Sequence, residues 1–60
     1  MNKKRYEVSG WIDSKKCFYP CAQYATKQLA INFANGRKER LPTMKFRIVD
    51  QITQEVVYEC

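Results

Sequence analysis

Three cysteines and no histidine limit what this chain can ligate or catalyse. Cys17 and Cys21 stand four residues apart, and Cys60 is the final residue given. A structural zinc ion takes four nitrogen or sulfur ligands, so three thiols without an imidazole fall one short within a single copy. Only a site shared between two copies would complete the set. On a strand, residues four apart share a face but lie about 13 Å from one another, too far for a disulfide. On a helix they would be stacked neighbours. The bland reading makes Cys17 and Cys21 small buried hydrophobes and leaves Cys60 exposed. An odd thiol count fits a reducing compartment.

Catalysis lacks its usual groups. Without histidine there is no Ser-His or Cys-His dyad. Ser9 and Ser14 are the only serines, and neither lies in a Gly-x-Ser-x-Gly turn. Gly10 and Gly36 are isolated, so no glycine-rich loop cradles a phosphate. Asp50, Glu55 and Glu59 fall on a predicted hairpin with no cleft between them, unlike the paired carboxylates of a glycosidase. The expectation is a protein that is not an enzyme and carries no cofactor.

Three constellations suit binding instead. Trp11, Lys45 and Arg47 are predicted on the outward face of a sheet, where an aromatic ring beside cations can stack bases and hold phosphates. The competing reading is an amphipathic lid over the sheet. Arg37, Lys38 and Arg40 form a basic knob that suits duplex phosphates, or simply the negative end of a helix dipole. Tyr24 and Ile31, seven apart, with Gln28 and Asn35 nearby, make a second helical stripe opposite Leu29 and Phe33. Such a stripe asks for a protein partner or a second copy to cover it.

The elements that must carry these residues are legible in the pattern. Tyr6–Asp13 alternates as a strand, with Tyr6, Val8 and Ile12 on one face and Glu7, Ser9, Trp11 and Asp13 on the other. Asp13–Lys16 is a polar turn. The stretch 17–24 reads either as a returning strand, which Pro20 confines to an edge, or as an early helix start. Thr26 is the expected N-cap of a helix that buries Ala25, Leu29, Ala30, Phe33 and Ala34. Asn35-Gly36 offers a stop, but the basic residues beyond it favour continuation to Leu41, and Pro42 ends it in either case. Met44–Asp50 and Glu55–Glu59 form a hairpin across a four-residue turn.

The predicted fold is therefore α+β: a small two-layer sandwich, β-β-α-β-β, with three to four antiparallel strands and one helix on one face. One domain covers residues 1–60, with 1–5 expected to fray. A chain this short buries only about 60% of its unfolded surface, so dimerisation is a standing expectation. Residues 1–47 hold all eleven bases against three acids, a net +8, while 48–60 carry −3. That asymmetry suits an acidic partner, or two copies meeting head to tail. No secretory leader and no membrane-length apolar run is visible, so the chain reads as cytoplasmic.

These features point to a small non-enzymatic binding or regulatory module acting through protein contact. Its size also suits an inhibitor from a phage or other mobile element. The alternative is nucleic-acid binding through the basic surface with Trp11 on the open sheet face.

Overall fold

The computed structural model describes residues 4–60. Strands β1 (Tyr6–Ile12) and β2 (Cys17–Tyr24) are followed by helix α1 (Lys27–Arg40) and by strands β3 (Phe46–Asp50) and β4 (Glu55–Glu59). All neighbouring strands are antiparallel, in the order β2-β1-β3-β4. The helix packs on one face and leaves the other open.

Local chemistry explains each boundary. The Thr26 hydroxyl accepts from Leu29 N at 3.3 Å, the N-cap arrangement expected of its side chain. The helix runs through Gly36 and closes at Leu41, whose N–H reaches Arg37 O at 2.8 Å. The stretch 17–24 is a strand and not a helix start. Pro20 is tolerated there because β2 is an edge and its pairing slips: Val8 faces Ala22 while Ser9 faces Pro20, leaving Cys21 as the extra residue of a bulge. β4, the other edge, carries a second bulge at Val57, between the pairs Ile48–Tyr58 and Val49–Val56. Lys16 and Gln54 close the two four-residue turns with φ of 56° and 63°, the left-handed conformation that reverses the chain.

The core consists of Val8, Ala30, Ala34, Phe46 and Ile48. The helix is turned differently from the expected arc. Ala30 and Ala34 lie on the line facing the sheet, and at 3.6 residues per turn Ile31 and Phe33 fall about 80° to either side of it. Leu29 falls about 120° away and is 51% exposed. Two small residues on that line let the backbone approach the strands closely, and the larger flanking side chains then reach down.

Expectations for two ends of the chain are revised in part. Residues 1–3 of the lead-in lie outside the described residues. Arg5 is held by two parallel bonds to Asp50, Nε to Oδ1 at 2.9 Å and Nη2 to Oδ2 at 2.7 Å. Cys60, expected to be exposed, is half-buried because its backbone exchanges two hydrogen bonds with Phe46. Cys21, expected to be buried, is exposed because the bulge turns it out of the ladder; Cys17 is half-buried.

Asp50 predicts an acid-sensitive clasp. Hydrogen bonding to Arg5 and to the N–H groups of Ile52 and Thr53 lowers its carboxyl pKa from 3.8 to about 2, against the opposing effect of burial. The unfolded chain takes up this proton first, so Asp50 contributes its full stability above about pH 4 and loses it as pH falls toward 2. Urea midpoints measured at pH 7, 4 and 2 should fall across the acid interval in the wild type. Asp50→Asn should start lower at neutral pH and show a shallower acid slope. Parallel slopes would remove Asp50 from the account.

Candidate functional site

The strand register arranges the open face in three rows. Phe18, Trp11 and Lys45 lie side by side across β2, β1 and the lead into β3. Pro20, Ser9, Arg47 and Glu59 form the next row, and Gln23, Glu7, Val49 and Val56 the third. Trp11 and Lys45 meet across the ladder because Trp11 N donates to Lys45 O at 2.8 Å.

The first two rows make an aromatic and cationic centre. Trp11 and Phe18 meet edge to face, 5.2 Å between centroids at 70°. The Trp11 indole N–H donates to Asp13 Oδ1 at 3.0 Å, which fixes the ring. Arg47 does not pair with Glu59, its cross-strand neighbour. Its guanidinium lies instead over the Phe18 ring, 4.0 Å from the centroid. To get there the side chain must cross β1 at the level of Ser9, which accounts for Ser9 being only 5% exposed on an otherwise open face. Arg47 Nε is buried and has no acceptor. Among the described residues the one ion pair is Arg5–Asp50, on the helix side of the sheet.

This arrangement joins Trp11, Lys45 and Arg47 as expected from alternation and adds Phe18. Sequence reasoning missed Phe18 because strict alternation along β2 could not be anchored while its fold was open, and because the bulge at Cys21 changes which residues share a face. The available signal was Cys17-Phe18-Tyr19 itself, aromatic and strand-like, directly after a polar turn.

The other candidates are dispersed. The stripe expected from Tyr24, Gln28, Ile31 and Asn35 does not form. Tyr24 belongs to β2 and packs its ring on Phe33, 5.6 Å between centroids. Ile31 is half-buried against the core. Gln28 bonds Asn32, and Asn35 accepts from the Tyr58 hydroxyl at 3.0 Å. The basic knob is largely occupied in holding the fold. Lys38 Nζ donates to Met44 O at 2.8 Å and Arg37 stacks over Phe33 at 5.1 Å, while both Arg37 and Arg40 remain exposed. Among the described residues, no three Cys, Asp or Glu side chains gather as a metal site, and no helix is long and apolar enough to cross a membrane.

A groove of about 1040 Å³ opens at the Trp11 end of the face and wraps around the end of the sheet. Trp11, Phe18 and Met44 give it apolar surface, with Lys38 and Lys45 beside them. Comparison with protein-family models, curated proteins and solved structures yields no match to this chain.

Proposed function

We propose that this chain is a non-enzymatic binding module that docks a protein partner on the open face of its sheet. The supporting observation is the Arg47 guanidinium laid on Phe18 beside Trp11, within a polar margin of both signs. Tryptophan and arginine at the centre, surrounded by mixed polar residues, match the composition of protein interfaces. The charge count separates this reading from nucleic-acid binding. Lys45 and Arg47 share this side with Glu7, Asp13 and Glu59, two cations against three carboxylates. A polyanion gains no net attraction there, and backbone neutralisation dominates nucleic-acid affinity. The surplus base of the chain lies elsewhere, on the Lys15-Lys16 turn and along the helix. Three free thiols suit the reducing cytoplasm as the place of action.

The test uses the one tryptophan as its reporter. Lysate from the native host is passed over wild type and over a Trp11→Ala/Lys45→Glu variant, with and without nuclease. Trp11 emission of the wild type is then titrated with single-stranded and duplex oligonucleotides at two salt concentrations. A protein retained after nuclease and lost from the variant is the expected result. Capture indifferent to the variant overturns the surface assignment. Salt-steep oligonucleotide binding that quenches Trp11 transfers the face to nucleic acid.

A further inference from the structure

We infer that the groove at the Trp11 end receives an extended segment of the partner carrying a carboxylate beside a large apolar side chain. This rests on the protein-binding reading and specifies its chemistry.

The apolar half follows from the groove surface. Trp11 and Phe18 form its part on the open face, and Met44 continues it around the end of the sheet on the helix side, where the Phe46 ring is almost wholly covered. A single aromatic or branched aliphatic side chain laid against Trp11 and Phe18 covers part of this space and displaces its water, and the rest is left for the flanking residues of an extended segment.

The acidic half follows from which charges are already engaged. Asp13 is held by the Trp11 indole, and Lys38 donates to the Met44 carbonyl. Lys45 and Arg47 have no carboxylate partner among the described residues. Arg47 lies beside the groove and not in its lining, and is pre-set by its stack on Phe18, which does line it: the planar group is fixed and its Nε is removed from water without an acceptor. A fixed guanidinium binds a carboxylate with little further ordering of the side chain. Lys45, two residues earlier in the lead into β3, lines the groove and supplies a second cation for the same group. Glu59 also lines the groove and repels an unbroken acidic run. The fitting segment therefore has one carboxylate next to its apolar anchor and not a polyacidic tract.

The probe is a displayed library of random 12-residue peptides selected on the wild-type chain, with recovered peptides titrated against Trp11 emission. The expected consensus is a large apolar residue within two positions of Asp or Glu. Affinity should fall at least about tenfold on Lys45→Glu, which lies exposed and leaves the fold intact, and on Arg47→Gln. Poly-aspartate should bind at least tenfold more weakly than the selected peptides. Circular dichroism of both variants confirms that they fold. No enrichment, or a consensus rich in Lys and Arg, overturns the inference. If the lysate partner still depends on Trp11 and Lys45 in that case, the docking surface stands and only its peptide chemistry falls. If neither experiment shows such dependence, both fall.

Discussion

Phe46→Ala should remove most of the fold's stability at 25 °C. Phe46 is 2% exposed and is one of three large side chains fully enclosed between helix and sheet, with Val8 and Ile48. Truncating a buried Phe to Ala costs about 3–5 kcal/mol, the lost transfer energy plus the cavity left behind. Domains have total stabilities of about 5–15 kcal/mol, and a chain of this size lies toward the low end. The loss is then comparable to the whole margin. Far-UV circular dichroism in a urea series measures it. Phe18→Ala is the control, because it removes the same atoms from the open face, where Phe18 is half-exposed. It should leave a cooperative transition with a modestly lower midpoint. Equal losses at the two sites would mean that the sheet has two cores and no open face.

Gly10→Val should lower the melting temperature by about 4–24 °C, whereas Gly10→Ala should cost much less. Gly10 is buried, pairs with Tyr19 and Phe46, and faces the helix side. A Cβ there would lie 2.5 Å from Met44 Cε and 3.1 and 3.3 Å from two atoms of the Phe46 ring. The Met44 methyl ends a flexible side chain and can swing away, so alanine asks only a few tenths of an ångström of the ring. Valine adds two more methyl groups against a ring that cannot retreat, and overpacking of this kind costs about 1–3 kcal/mol or more. At about 4–8 °C per kcal/mol for a domain this small, the shift is easily resolved by a thermal scan. A double-mutant cycle of Gly10→Ala with Met44→Ala isolates the contact. The pair should be less destabilised than the sum of its parts, and strict additivity would reject the clash with Met44.

Much of the fold was legible because local chemistry and pattern agree. Thr26 caps the helix, the lysine and arginine run carries it past Gly36, and Phe46 and Ile48 alternate with Arg47 and Val49. The failures have two physical sources. The bulge at Cys21 inserts one residue, and one residue reverses the side of everything beyond it. Register of this kind depends on pairing between strands, which no window along one strand contains. The helix failed differently. Leu29 carries more apolar surface than Ala30, so a periodicity argument turns Leu29 inward. The packed line is instead the one where small side chains admit close approach. That rotation half-buried Ile31 against the core, and Tyr24 belongs to β2, so the expected docking stripe does not form. The open-face cluster survived because Trp11 and Arg47 lie on the two central strands and Lys45 directly before one of them, outside both bulges. The swing of Arg47 away from Glu59 and onto Phe18 was not legible, since it requires knowing that β2 and β3 flank β1.

Both outer strands carry a kinked step, one reinforced by Pro20, which has no N–H to offer, and the other bordered by Glu55 and Glu59. Copies of this molecule are thereby hindered from growing into a continuous ribbon side by side, the route that leads small sheet proteins to fibrils. Concentrated solutions should stay clear of filaments, and any higher-order assembly has to be built by laying surfaces against one another.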